Sequence, residues 1–397
     1  MKPRIFISMH YLELGGAEAS LIGLLQALDY DKVDVDLFIH AHHGELMAFI
    51  PKDVNLLPEV KKYSMMEEPI TACIETGFWD VAISRLWAKV NKYRYFKKHP
   101  DEKEDDEYFR SIFTSWLLPK INPEVEYDLA ISFLTPHQIV LEKVRAKKKV
   151  AWIHTDYQTL KVARELVLPV WAQYDKIVSI SKDITRTFLN VFPSLSDKIV
   201  EIENIIPSAM IRERATLVDV TSEMPQGFIS ILSVGRYCPA KNYDNVPDIA
   251  RRIVEKGFKK LRWYIIGFGG DEYLIRQRIV EAGMGNHVIL LGKKENPYPY
   301  IKACDMYVQP SRYEGKSITV REAQILCKPV LITNYETAHS QVKDGVDGII
   351  APMDNEGCAQ GIIDAINNKP LLKDLSTYLS FHDYGNEQEV QKIYDLI

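Results

Sequence analysis

Short, continuous apolar runs alternate with amphipathic stretches along almost the whole chain. Runs at 4–9, 33–39, 129–133, 149–153 and 176–180 predict a first series of strands. A second series follows at 229–234, 262–266, 288–291, 306–309, 330–333 and 348–351. Unbroken rather than alternating apolarity marks strands buried on both faces, hence parallel sheets. Helical spacing falls between them, at 17–28, 184–191, 246–256, 271–282 and 319–327. The expected fold class is α/β, with two doubly wound, Rossmann-like parallel-sheet domains. The stretch 204–228 carries Pro207 and Pro225, mixed charge and no sustained periodicity, so it reads as linker. The domains are therefore expected at 1–205 and 206–397. The amphipathic stretch 386–397 predicts a terminal helix that packs on the second domain or returns to the first.

A chain of 397 residues agrees with two cores rather than one. Its 46% hydrophobic and 26% charged residues are those of a soluble globular protein. A net charge of −5 gives no overall pull toward nucleic acid. Cys73, Cys238, Cys304, Cys327 and Cys358 stand singly, without CxxC spacing, which argues against a zinc site and for a reducing compartment. The apolar core near the N-terminus is too short for a signal peptide, and no run is long enough to span a bilayer. The expectation is a cytoplasmic protein, or one attached only peripherally at the inner membrane face.

One segment breaks the α/β rhythm, inside a helical insertion near 60–120. Over 75–99, Trp79, Ile83, Leu86 and Val90 recur at helical spacing, and Arg85, Lys89, Lys92, Arg94, Lys97 and Lys98 bring six cations with no acid among them. An acidic run, 101–107, follows. One reading is a helix lying on an anionic membrane surface near a lipid-linked acceptor. The reading favoured is an insertion that buries its aromatic stripe and solvates its charges.

The densest chemistry lies at 314–322, E-G-K-S-I-T-V-R-E. Glu314 and Glu322 bracket a Gly-Lys-Ser turn after an apolar run, and Ser317 stands near the N-terminus of the helix that follows, an anion-favouring position. Glu322 falls on that helix's second turn while Glu314 stays in the loop. One carboxylate can then bond a ribose and the other reach beyond the phosphates. Upstream, Val234-Gly235-Arg236 ends the first strand of the second domain, and Lys241-Asn242 follow closely. A guanidinium and an ammonium converging at that strand edge make a clamp for a diphosphate. In the first domain, Gly15-Gly16 sits at a strand-to-helix turn where backbone can approach a ligand. His154 ends a strand beside Asp156, placed to donate to a hydroxyl or carry a proton; His10, Ser181 and Lys182 are weaker candidates of the same kind. Gly267, Gly269 and Gly270 lack the G-x-G-x-x-G spacing of a dinucleotide loop and read as a turn.

Together these pieces resemble the retaining glycosyltransferases of family 4, which have the GT-B fold. The matches are G-G-A-E at 15–18, H-T-D at 154–156, V-S-I-S at 178–181, G-R and K-N at 235–242, I-I-G-F-G at 265–269, V-I-L-L-G-K at 288–293 and E-x7-E at 314–322. The resemblance implies two domains facing across a cleft and a nucleotide-sugar co-substrate, UDP- or GDP-linked, with no cofactor and no metal. It implies that Arg236 and Lys241 neutralise the diphosphate, that Glu322 binds ribose, and that backbone at Lys316, Ser317 and Ile318 holds phosphate and sugar. Glu314 and His154 would contact the transferred sugar, Gly15 and Gly16 would let the N-terminal loop approach, and backbone at Lys293 would frame the base. The implied partners are a saccharide or lipid-linked acceptor, with no nucleic acid, in surface polysaccharide or glycoconjugate synthesis. Members commonly carry Gly or Pro where Lys316 and Ser317 stand, which marks those positions for sugar choice. The rival readings are an NAD(P)-linked oxidoreductase, a UDP-sugar epimerase and a catalytically silent sugar-nucleotide-binding partner of another transferase.

Overall fold

The structure, a computed structural model, describes residues 2–13, 15–100, 102, 106–157 and 162–397. Leu14 of the glycine turn and most of the acidic run 101–107 lie outside the described residues. The chain forms two compact units, one of Met1–Ile205 with Glu387–Ile397 and one of Ile206–Asn386.

The first unit holds β1 (Arg4–Met9), β2 (Asp34–Ile39), β3 (Asn55–Leu56), β4 (Tyr127–Ser132), β5 (Ala146–Ile153), β6 (Lys176–Ser179) and β7 (Ile199–Glu201). Its sheet runs β3-β2-β1-β4-β5-β6-β7. The second unit holds β8 (Ile229–Val234), β9 (Leu261–Ile266), β10 (Val288–Gly292), β11 (Met306–Gln309), β12 (Val330–Thr333) and β13 (Ile349–Ala351), ordered β10-β9-β8-β11-β12-β13. The strand pairs within both sheets are parallel. The unbroken apolarity of the strands has a direct cause. On β1, Phe6 packs with Phe38 and Tyr127 on one face, while Ile5 and Ile7 pack with Leu21 and Leu25 on the other. On β8, Ile231 and Leu232 likewise enter separate cores. Strand order reverses between β1 and β4 and between β8 and β11. Loops leaving the carboxyl ends of such strands flank the crevice where open α/β sheets bind ligands.

The tightest backbone approach lies beside β8. A Cβ added to Gly267 would fall 1.9 Å from the Gly235 carbonyl oxygen, and one added to Gly235 would fall 2.8 Å from the Tyr243 hydroxyl. Because the first neighbour is main chain, it cannot swing away. Gly267→Ala is expected to cost about 1–3 kcal/mol of stability or more, read as a lowered urea midpoint; a wild-type midpoint would show that the two loops are not rigidly apposed.

The stretch 204–228 is not a linker. It contains the helix Ser208–Arg214 and buries Ile206, Ile211, Val220 and Met224 in the second unit's core. Its apolar positions are too irregularly spaced to show a period, which hid them in the sequence. At the other end, the helix Val390–Tyr394 belongs to the first unit, with Ile393 fully buried beside the Leu21 cluster. Lys392 Nζ donates to the Glu201 carbonyl (3.1 Å), and the Asp29 amide donates to the Tyr394 hydroxyl (2.8 Å). The Ile206 amide donates to Asn386 Oδ1 (2.9 Å), so the points where the chain leaves and re-enters the first unit are tied together.

The insertion consists of the helices Lys61–Glu67, Ile70–Glu75, Trp79–Lys98 and Asp106–Thr114. The expectation of a buried aromatic stripe fails. Trp79, Ile83, Leu86 and Val90 are 43–65% exposed. The helix turns Val81, Ala82, Ser84 and Ala88 inward instead, together with Arg85, whose guanidinium donates to the Met65 and Glu68 carbonyls. Short side chains allow close helix packing, and that packing outcompetes burial of the bulky face. Among the described residues no helix is long and apolar enough to cross a membrane.

Candidate functional site

The loops leaving β8 and β11 meet at the second unit's switch point. The β8 loop passes Gly235 and Arg236, makes a short turn at Pro239–Lys241, and reverses at Asn242, whose φ is 61°. Asn tolerates this left-handed conformation better than most residues. Its side chain then donates Nδ2–H to the Pro310 carbonyl at 2.9 Å. Arg312 grips Asp244 through both guanidinium nitrogens, at 2.9 and 2.8 Å, and also donates to the Pro239 carbonyl. Two loops distant in sequence are thereby fixed edge to edge.

Across that seam Lys241 Nζ lies 2.5 Å from Glu314 Oε1, with side chains only 19% and 11% exposed. The same oxygen accepts from Ser311 Oγ (2.6 Å) and Gln309 Nε2 (3.3 Å). Gln309 is oriented in turn by the Tyr307 hydroxyl, 2.7 Å from its Oε1. No hydrogen bond to Glu314 Oε2 occurs among the described residues. Glu314 is thus a carboxylate with one oxygen saturated by protein and one open. Thr337 Oγ1 donates to the Glu314 carbonyl (2.8 Å), which fixes the loop from behind. Arg236 is exposed at the exit of β8 and forms no hydrogen bond or ion pair among the described residues.

The helix Ile318–Ile325 starts after this loop, with Ser317 at its N-cap. The Ser317 amide donates to Gln341 Oε1 (3.0 Å), and Gln341 Nε2 donates back to the Ser317 carbonyl (2.5 Å). Gln341 therefore occupies one of the amides that the sequence offered to a phosphate. On the second turn Glu322 is buried, 7% exposed, and accepts from the Tyr298 hydroxyl at 2.9 Å. Burial pushes its carboxyl up to about 7, against the opposing pull of Tyr298 and the Arg214 guanidinium. Arg214 lies over the Tyr298 ring, 5.1 Å from the centroid, and donates to the Glu295 carbonyl. Lys293, just past β10, sits over the Phe268 ring at 5.1 Å.

In the first unit, Gly15 precedes the helix Gly16–Ala27, and nothing lies within 4 Å of a Cβ built on Gly16. His10, at the end of β1, places Nδ1 2.8 Å from the Thr135 carbonyl beyond β4. His154 leaves β5 with its ring against Phe133, centroids 4.7 Å apart. Burial pushes the imidazole down to about 3, so it is neutral near pH 7. Its Nε2 is buried and has no hydrogen-bond partner among the described residues. A buried ring nitrogen left in this state costs free energy unless a ligand completes it.

The structure brings Arg236, Lys241, Glu314, Ser317 and Glu322 to one edge of the second sheet, and Gly15, Gly16 and His154 to strand exits of the first. Sequence reasoning missed Gln309, Ser311, Gln341, Tyr298, Arg214 and the Arg312–Asp244 pair. These residues act by orienting others, and nothing in their local pattern signals it.

Comparison with known proteins agrees with this layout. Residues 220–379 match the family model described as glycosyl transferases group 1. The chain is 28% identical over 201 residues to an uncharacterized glycosyltransferase of Methanocaldococcus jannaschii, covering 48% of this chain and 55% of that protein. It is 28% identical over 145 residues to the N-acetylgalactosamine-N,N'-diacetylbacillosaminyl-diphospho-undecaprenol 4-alpha-N-acetylgalactosaminyltransferase of Campylobacter jejuni, covering 36% and 39%. The chain thus spans about half or less of the length of these curated relatives. Among solved structures, Anabaena HepE in complex with UDP and glucose superposes with a TM-score of 0.66 at 14% identity, over 98% of both chains. Residues 220–379 are thus similar to glycosyl transferases group 1, within a chain that has the GT-B fold.

Proposed function

We propose that the protein is a retaining, metal-independent glycosyltransferase that moves a sugar from a UDP-sugar, or by the same clamp a GDP-sugar, to a saccharide or lipid-linked acceptor in surface polysaccharide or glycoconjugate synthesis. The observation that carries this reading is the Lys241–Glu314 pair near Arg236, which has no partner among the described residues, at the switch point of a nucleotide-binding type of sheet. The name of the Campylobacter relative supports a lipid-linked acceptor, and the UDP seen in the Anabaena structure supports the donor class.

Arg236 and Lys241 face the diphosphate, where charge builds as the anomeric C–O bond breaks. Preorganised cations stabilise that charge without moving. Glu314 uses its saturated oxygen to aim Lys241 and its open Oε2 to accept from a sugar hydroxyl. Glu322 takes the ribose, and backbone at Lys293 frames the base. Lys316, Ser317 and Ile318 meet phosphate and sugar, with the Ser317 terminus acting through its dipole while Gln341 holds its amide. Gly15, Gly16 and His154, at strand exits of the first unit, are the residues that the resemblance assigns to the diphosphate and the transferred sugar. The acceptor oxygen attacks from the face the diphosphate leaves, and its proton passes to a departing phosphate oxygen.

A panel of UDP-glucose, UDP-galactose, UDP-N-acetylglucosamine and GDP-mannose tests the reading by nucleotide release, with the product's anomeric configuration read by proton NMR. An α-linked product formed equally well in excess EDTA is expected. A β-linked product would refute retention, and loss of turnover in EDTA would refute metal independence. Tight donor binding without release under any acceptor would favour a silent partner, and a nicotinamide absorbance change would favour an oxidoreductase.

A further inference from the structure

The stretch 204–228, expected as linker, carries one side chain that reaches two parts of the site at once. Arg214 ends the helix Ser208–Arg214 and is buried. Its Nη2 donates to the Glu295 carbonyl (3.0 Å), and its own carbonyl accepts from Asn296 Nδ2 (2.8 Å). The loop leaving β10 is thus held to Arg214 by side chain and main chain together. Further along, Glu223 accepts from Lys294 Nζ (2.6 Å) and from the Tyr300 hydroxyl (2.5 Å), which ties the same loop a second time. The Arg214 guanidinium also lies over the Tyr298 ring, and the Tyr298 hydroxyl donates to Glu322.

We propose that Arg214 is a positioning residue for the nucleotide: it couples the loop 293–297 to Glu322, so that the backbone framing the base and the carboxylate taking the ribose are set together. This coupling rests on the proposed roles of the Lys293 backbone and of Glu322. A planar guanidinium suits the place, because its face stacks on a ring while its edge bonds a carbonyl, and it stays charged when buried. An ammonium would keep the charge and lose the stacking and the fork. The charge has an effect of its own. Burial raises the Glu322 carboxyl, and Tyr298 and then Arg214 pull it down. Tyr307 on β11 also feels Glu322, while Arg212 donates to the Ile325 carbonyl (3.4 Å) instead. β12 has no titratable residue, and the helix Lys369–Phe381 buries Leu375 and Leu379. Without the guanidinium, Glu322 would keep its proton to higher pH, and fewer molecules at neutral pH could accept a ribose hydroxyl.

The titration of Glu322 is readable without nucleotide, as the part of the pH dependence of the melting temperature that Glu322→Gln abolishes. Its midpoint is expected to move about 1 pH unit alkaline in Arg214→Gln and to stay in place in Arg214→Lys. By calorimetry, Arg214→Gln should weaken UDP binding about fifteenfold at pH 7 but only about threefold at pH 9. Arg214→Lys, which loses the bond to the loop and keeps the charge, should weaken it about threefold at both. An unmoved midpoint with equal losses at both pH values in Arg214→Gln is what a merely structural arginine gives, and would overturn the proposal. Should that variant fail to fold, Arg214→Lys decides: wild-type affinity, or a shifted midpoint, overturns the coupling. A wild type that binds no UDP would refute the donor reading and this coupling with it, whereas normal wild-type binding beside an inert Arg214→Gln would refute the coupling alone.

Discussion

Replacing Lys241 with methionine is expected to lower kcat for sugar transfer by about 10²–10³-fold, the loss that follows removal of one preorganised charge at a developing anion. Methionine keeps the apolar stem that lies under Gly235, so packing there survives. What changes is charge. Glu314 loses its nearest cation but keeps Ser311 and Gln309 as donors to the same oxygen. Breaking a fully buried pair costs about 3–5 kcal/mol because a bare charge is stranded. With two donors left and both side chains partly exposed, the cost here should fall nearer 1–3 kcal/mol. A second variant separates these effects. Lys241→Met combined with Glu314→Gln removes the stranded charge and should recover most of the lost stability, yet none of the turnover. Wild-type kcat in either protein would remove Lys241 from the chemistry.

The second large effect concerns Glu322 and pH. Its carboxyl titrates at about 7 in the folded protein because burial disfavours the charge. In the unfolded chain it returns to the ordinary carboxylate range. The folded state therefore holds the proton more tightly. Its stabilising contribution is complete below the unfolded value and is lost as pH rises through about 7. Glu322→Gln should flatten this dependence and raise stability at pH 8 by up to about 3 kcal/mol. Nucleotide binding should run the other way. A ribose donates its hydroxyls to the ionised carboxylate, so UDP affinity should rise toward pH 8, with about half a proton released per UDP at pH 7. Calorimetry in buffers of different ionisation enthalpy reads that proton directly. No release, or release unchanged in Glu322→Gln, would take the ribose away from this residue.

Strands were the most legible part of the fold. The runs at 4–9, 229–234, 306–309 and 330–333 correspond residue for residue to β1, β8, β11 and β12. These strands are buried on both faces, so their sequences carry no competing polar rhythm. Two edge strands, β3 and β7, escaped notice because two and three residues are too few to form a run. The helix Trp79–Lys98 was legible as a helix, but its inward face was not. Periodicity shows that one side differs from the other and does not say which side meets the core. At the site, charged residues after strand ends were visible in the sequence. The partners that orient them were not, since Gln309, Ser311 and Gln341 are ordinary polar residues until the fold places them.

The return of the helix Val390–Tyr394 to the first unit makes the second unit a continuous insert with both ends on one seam. A single cassette entering after Ile205 and leaving before Glu387 would therefore exchange the whole second unit. Residues 387–397 then fasten the first unit, so a change in Val390–Tyr394 is felt first there and not in the unit that precedes it in sequence.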